Sequence, residues 1–283
     1  MKEKQGGKKL GMLYDVQDAI KRRKSVRSYD GKRLSDELVK KIESFLKSAD
    51  NPFGVKVDLK YLDAGKFHLS SPFVTGEKAY VAGTVQAVPF AEAAFGYTME
   101  SFVLYAQSLG LGTVCLGSIS KRKNFEAALN KKENQLMPCV LPVGLKANRS
   151  SIREVLIRKK VKADNRLDFE DIFFENDFSS SLRKKYAGDL LIPLEMVRLA
   201  PSAANLQPWR VVVNGGYAHF YKKKSGNFAE KGMDLQKVDI GIAMCHFDLA
   251  AKACGVSGEF IVKVPGITHD AGMEYIISYA KES

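Results

Sequence analysis

AFGYTMESFVLYAQSLGLGTV, residues 94–114, and DIGIAMCHFDLAAKACGVSGE, residues 239–259, align without a gap at an offset of 145 residues (94 against 239). Gly96 meets Gly241, Met99 meets Met244, Phe102 meets Phe247, Leu104 meets Leu249, Ala106 meets Ala251 and Gly110 meets Gly255. The apolar stripe is in phase as well. Phe95, Met99, Phe102 and Ala106 correspond to Ile240, Met244, Phe247 and Ala251, the spacing of a helix that buries one face. Each stretch closes on a glycine, the residue that most easily ends a helix in left-handed backbone. Each is then followed by an apolar segment, VCLGSI in one copy and EFIVKV in the other. A period near half the length implies two copies of one unit. The expected division is residues 1–150 and 151–283.

Around these helices the pattern alternates between periods. Leu38, Ile42, Phe45 and Leu46 have helical spacing, with Ser35 as the N-terminal cap. Strands are expected at 55–62, 79–85, 137–145, 210–213, 218–223 and 272–279, where β-branched and aromatic residues cluster. Helices and strands are mixed throughout.

Composition narrows the function. At 283 residues and 45% hydrophobic content the chain can bury a large core. No apolar run reaches the roughly 20 residues that span a bilayer, and MKEKQGGKKLGML lacks the apolar core of a secretory signal. A cytoplasmic protein without a membrane partner is expected. Cys115, Cys139, Cys245 and Cys254 show no CxxC spacing and read as buried thiols, neither metal ligands nor disulfides. The four histidines form no spaced metal set, and His246 falls inside the buried-helix pattern as a core residue; no metal is expected. The net charge of +12 is concentrated between Lys121 and Arg166, which hold 13 Lys and Arg against 4 Asp and Glu. Only Phe125 is interleaved there, so a solvated basic surface is favoured over nucleic-acid binding, although such a surface also suits an anionic small molecule.

Two elements do not repeat. AIKRRKSVRSYD places Arg22, Arg23, Lys24, Ser25 and Arg27 within six positions. At the end of a short helix their side chains and nearby backbone N–H groups can converge on one anion such as a phosphate, with Ser25 and Arg27 on one face. A solvated helix end is the alternative. In the other half, LAPSAANLQPWRVVV (199–213) sets Ser202, Asn205 and Gln207 between a helix and a buried strand. Those side chains can hydrogen-bond the edge of a flat heterocycle, and the alanines allow close approach. The alternative is a run of Asx-type turns with Trp209 as core filler.

RRKSVRSYD, LGLGTVCLG, DIGIAMCHFDLAA and APSAANLQPWRVVV together resemble the nitroreductase family of flavin enzymes, specifically its tandem-fused branch. The resemblance runs from about Ala19 to about Phe260. It implies an α+β nitroreductase-like fold, a central mixed or antiparallel sheet flanked by helices, in two pseudo-repeated halves that form an intrachain pseudo-dimer. It also implies an FMN site between two subunits, here fused, with the arginine element from the first half and the S-x-x-N-x-Q-P-W loop from the second. One complete site is then expected, in a monomer. The resemblance puts Arg22, Arg23, Lys24 and Ser25 at the phosphate and Arg27 by the flavin N1 and C2 carbonyl. It places Pro201, Ser202, Ala203, Asn205 and Gln207 at the ring, the Gly117 backbone near N5, and Arg166 as a late basic residue at the phosphate. Leu116 stands where relatives often have an acidic residue. The implied activity is ping-pong electron transfer from NADH or NADPH through FMN to a nitroaromatic, quinone or similar small-molecule acceptor, with Arg27 stabilising reduced FMN and no side chain acting as nucleophile. The rival readings are an FMN-binding sensor or storage protein without turnover, and a basic nucleic-acid-binding protein that retains the fold.

Overall fold

The computed structural model describes residues 14–225, 229–230 and 232–282. The stretch 1–13, whose lack of a secretory pattern was noted above, lies outside the described residues. In chain order the helices are α1 (Val16–Arg22), α2 (Asp36–Ser48), α3 (Ala91–Ser108), α4 (Arg122–Leu129), α5 (Ile152–Lys160), α6 (Phe169–Ile172), α7 (Leu191–Arg198) and α8 (Leu235–Ala253). The strands are β1 (Val57–Asp63), β2 (Ala79–Gln86), β3 (Gly112–Thr113), β4 (Gln135–Leu136), β5 (Val140–Gly144), β6 (Phe173–Glu175), β7 (Trp209–Asn214), β8 (Tyr217–Lys223), β9 (Ala229–Glu230), β10 (Met233–Asp234), β11 (Gly258–Ile261) and β12 (Met273–Lys281). The expected strands all form, with shifts at their ends.

The strands make two five-stranded sheets and a two-stranded antiparallel ribbon of β9 and β10. The first runs β1-β2-β5-β3, with β4 also on β2, and is antiparallel throughout. The second runs β7-β8-β12-β11, also antiparallel, and gains β6 in parallel outside β7. In both, the first two strands form a pair and the last sequential strand inserts beside the second. The fold is α+β.

Between the sheets lie α3 and α8, buried nearly all round. Their crossing explains the repeated glycines. A Cβ on Gly96 would sit 2.1 Å from the Val238 carbonyl oxygen, and one on Gly241 2.0 Å from that of Ala93. Val238 and Ala93 are themselves 145 residues apart, so the close approach is reciprocal. Phe95, Phe102, Met244 and Phe247, none more than 2% exposed, extend this seam into one core with side chains from both sheets.

Caps behave as the sequence indicates. The Ser35 hydroxyl accepts from Leu38 N–H at 3.4 Å, and Asp15 caps α1 by accepting from Asp18 N–H at 3.0 Å. Helix α1 ends at Arg22, the first residue of the cationic cluster, with the Arg23 N–H still bonded to Ala19 O. Two cysteine expectations fail: Cys139 and Cys245 are buried, whereas Cys115 and Cys254 are exposed. Cys254 caps the surface end of α8, and Cys115 faces a cavity.

Candidate active site

That cavity, about 310 Å³, lies where the two halves meet. This is within the range of small-molecule sites. From the first half it is lined by Arg23, Lys24, Ser25, Arg27, Glu100, Thr113, Cys115 and Gly117; from the second by Arg158, Arg166, Pro201, Ser202, Ala203, Ala204, Asn205 and Asp239. The two non-repeating sequence elements thus face one another across a single space.

The extended segment after α1 is held by a parallel bridge between Ser25 and Thr113, in which Val26 N–H donates to Thr113 O at 2.9 Å. Extension puts Ser25 and Arg27 on the cavity side while Val26 packs inward. Gly112 is required beside it, because a Cβ there would lie 2.8 Å from the Val26 side chain. Arg22 does not join the site. Its side chain is 70% exposed and pairs with Asp18 one turn back on α1.

Arg23 is the buried cation, 8% exposed, with Nε 4.0 Å from Glu100 Oε1. Glu100 accepts from or shares a proton with His246 Nε2 at 2.8 Å, and His246 Nδ1 sits 2.9 Å from Met196 O. His246 is therefore a satisfied core residue, as its place in the buried pattern suggested. Burial lowers the Arg23 pKa, and the neighbouring Arg158 lowers it further while Glu100 raises it. Arg166 is brought down to about 10, first by burial and then by Arg23. Both guanidinium groups remain cations at neutral pH, and both carry an Nε that is buried without a hydrogen-bond partner. Buried donors are ordinarily paired. Both arginines line the cavity through other atoms, and they give its wall positive charge.

The basic segment expected as a solvated surface contributes inward as well. Arg158, from α5, donates to Ser25 O at 3.5 Å and pairs with Asp164 at 2.5 Å. Its approach was not legible in the sequence, because α5 is short and its register against Ser25 depends on the loop that precedes it.

The 201–208 loop is built differently from expectation. Ala204, Asn205 and Gln207 all have positive φ (49°, 58° and 50°), sparsely populated conformations for residues with a Cβ. The polar side chains hold that shape. Ser202 Oγ accepts from Gln207 N–H at 2.8 Å, and Gln207 Oε1 accepts from Leu167 N–H at 2.9 Å. Asn205 Nδ2 donates to Lys162 O and Asn165 O, while its Oδ1 accepts from Arg166 Nη1 at 3.3 Å. Gln207 is 4% exposed and does not line the cavity. Its role is structural, a correction to the sequence expectation. Asn205 lines the space and also joins the loop to Arg166. Trp209 is fully buried, with Nε1 unpaired.

Asp239 was not anticipated. It stands in the first turns of α8, 5% exposed, with both carboxyl oxygens accepting from Ala203 N–H at 3.1 and 3.2 Å. Burial pushes its pKa up to about 8, against the lowering effect of that hydrogen bond. Gly117 lines the opposite wall, where a Cβ would meet Leu235 at 3.0 Å. Leu116 faces away from the cavity and is buried beside Val140 in an antiparallel bridge.

Among the described residues no cluster of His, Cys, Asp or Glu could hold a metal ion, and no helix is long and apolar enough to cross a membrane. No curated protein matches the chain. Among solved structures, a putative nitroreductase from Thermotoga maritima superposes with a TM-score of 0.60 at 20% identity, covering 97% of this chain and 98% of that one. A putative NADH dehydrogenase/NAD(P)H nitroreductase from Bacteroides thetaiotaomicron gives a TM-score of 0.44 at 19% identity, covering 56% of this chain and 95% of that one. The first establishes a nitroreductase-like fold. With residues 15–251 matched by the family model described as "Putative TM nitroreductase", the chain belongs to that family of oxidoreductases.

Proposed function

We propose that the chain is an FMN-dependent oxidoreductase that takes electrons from NADH or NADPH and delivers them to a small acceptor such as a nitroaromatic or a quinone. The observation that carries this reading is the mixed lining of the cavity. Arg23, Lys24, Arg27, Arg158 and Arg166 border the same space as Pro201, Ala203, Cys115 and Gly117. The cations suit a dianionic phosphate tail, and the small and apolar residues suit a flat ring. Bound there, FMN supplies two-electron chemistry between donor and acceptor.

The chain's own residues bind and polarise. Arg23, Lys24, Ser25 and Arg166 hold the phosphate, Arg166 being already oriented by Asn205 and Leu199 O. Arg27, half-buried, keeps positive charge beside the ring, where a low-dielectric wall strengthens its field. Asp239 fixes the Ala203 backbone and so the wall of the ring site. Donor and acceptor use the same opening in turn, which makes the kinetics ping-pong. Residues 1–150 and 151–283 act as two halves of one pseudo-dimer with a single site, in a cytoplasmic monomer. The matching strand orders and the reciprocal Gly96/Gly241 contacts support this.

The test is the visible spectrum of purified protein before and after anaerobic NADH or NADPH. A yellow protein that bleaches supports the proposal. A yellow protein that does not bleach with either nucleotide indicates a flavin carrier without turnover, and one that neither contains nor takes up FMN refutes the cofactor.

A further inference from the structure

Helix α5 has its apolar residues on the wrong side for a soluble helix. Ile152, Val155 and Leu156 are 82%, 55% and 61% exposed. At about 100° per residue they occupy an arc of roughly 100°. Glu154, Ile157 and Val161 lie opposite, and there Glu154 is buried while Ile157 and Val161 line the cavity. One face of α5 is thus cavity wall and the other an uncovered apolar ridge.

The helix is anchored at both ends. Ser151 caps it and bonds to Ser28 through N–H and Oγ, at 2.9 and 3.1 Å, and Arg153 donates to Pro72 O. At the far end Arg158 reaches Ser25 and Asp164. The ridge is therefore a held surface.

Its surroundings are cationic. Arg149, Arg153, Lys159, Lys160 and Lys162 are all exposed beside it. Of the acidic residues on this segment, Glu154 is buried and Asp164 is paired with Arg158. A short, low-hydrophobicity helix with an apolar ridge and a basic rim is the layout of an interfacial helix, which lies in the headgroup region of a bilayer without crossing it. We infer that α5 docks the protein on anionic lipid surfaces, with Ile152, Val155 and Leu156 inserted and the flanking lysines and arginines on the headgroups. A convex ridge of three side chains gives little area for a stable protein partner, which needs about 800 Å² per side. It suffices for insertion assisted by several charges. Docking would place α5, whose opposite face lines the cavity, between that cavity and the membrane. The docking does not rest on the proposed function.

The experiment is co-sedimentation of the full-length protein with vesicles of phosphatidylglycerol and phosphatidylcholine, against vesicles of phosphatidylcholine alone, at low and high salt. Binding is expected only to the anionic vesicles, weakened by salt. Ile152→Ser/Val155→Ser/Leu156→Ser should reduce it at least tenfold. Lys159→Gln/Lys160→Gln should reduce it by about fivefold per charge, and thermal unfolding should show both variants folded as the parent. Failure of the parent to bind, equal binding to neutral vesicles, or binding undiminished in the triple variant overturns the inference. Self-association of the parent that the triple variant abolishes would assign the ridge to a second copy of the chain instead. Flavin content is read separately by absorbance, so a colourless protein that binds vesicles would refute the cofactor and leave the docking surface standing.

Discussion

Replacing Asp239 with Asn should stabilise the protein, and the gain should grow with pH. In the fold the carboxyl is buried and its pKa is raised to about 8; its ordinary value is 3.8. A raised folded pKa means the native state holds a proton that the unfolded chain has released. The associated stability is fully present below about pH 4 and is lost as pH rises to about 8. Between those limits the loss is about 1.4 kcal/mol per pH unit, or about 3 kcal/mol from pH 5 to pH 7. Asn is never ionised, and its Oδ1 can still accept from Ala203 N–H. The variant lacks the pH-dependent loss and keeps the contact.

The assay is thermal or denaturant unfolding of both proteins at pH 5, 6 and 7 without added flavin. The difference between them cancels every other titrating group. It should widen by about 3 kcal/mol over that range, which at roughly 2–4 °C per kcal/mol for a chain of this size is about 6–12 °C in Tm. A difference that stays constant would show that Asp239 is ionised throughout, its charge balanced by the cavity's arginines, and the argument from burial would be wrong.

Other substitutions test the seam and the cavity. Gly96→Ala and Gly241→Ala each drive a Cβ into a backbone carbonyl that cannot rotate away. Each should cost about 3 kcal/mol or more in a denaturant melt, against a fraction of that for Gly272→Ala, where a Cβ meets nothing within 4 Å. Arg23→Ala should weaken FMN binding about ten- to a hundredfold by fluorescence titration, the loss of one buried charge-assisted contact. Thiol labelling followed by peptide mass analysis should modify Cys254 first. Cys115 should follow more slowly, its pKa pushed up first by its hydrogen bond with Cys139. Cys139 and Cys245 should resist, and added FMN should protect Cys115 alone.

Much of this was legible in sequence where the signal is local or periodic. The α3 and α8 stripes gave the two central helices, and β-branched runs gave the strands. Residues of RRKSVRSYD and of PSAANLQPW line one cavity. What escaped depends on which way a short segment turns. Arg22 and Arg23 are neighbours, yet the helix end at Arg22 sends one to solvent and the other beneath Glu100. Gln207 sits in a motif that reads as ligand-facing, but positive φ at three loop positions turns its amide back onto Leu167. Arg158 and Asp239 lie in ordinary helical patterns, and only tertiary packing aims them at one space. Cys115 reads as core because its neighbours are apolar; the cavity beside it has no sequence signature.

Positions 145 residues apart differ in chemistry along the lining of the site. Applying the offset of 145 residues to the lining of the site turns Leu235 into Phe90, Ile242 into Tyr97 and Asp239 into Ala94. At a different offset, 154 residues (202 against 48), Ser48-Ala49-Asp50-Asn51 stands at the end of α2 much as Ser202-Ala203-Ala204-Asn205 follows α7. At that second position Phe53 packs 6.0 Å from Phe90, 6.1 Å from Tyr97 and 6.0 Å from Phe260. The Tyr97 hydroxyl donates to Asp248 at 2.5 Å, and Asn51 Nδ2 donates to Thr98 and Val55. Aliphatic residues that leave room in one half are thus replaced by rings that fill it in the other, and the buried hydrogen bonds are closed without a ligand. On the proposed function, flavin should saturate at one equivalent per chain, measured by absorbance after removing unbound FMN. Two equivalents would mean the aromatic plug opens, and the pairing of one built site with one filled one would be wrong.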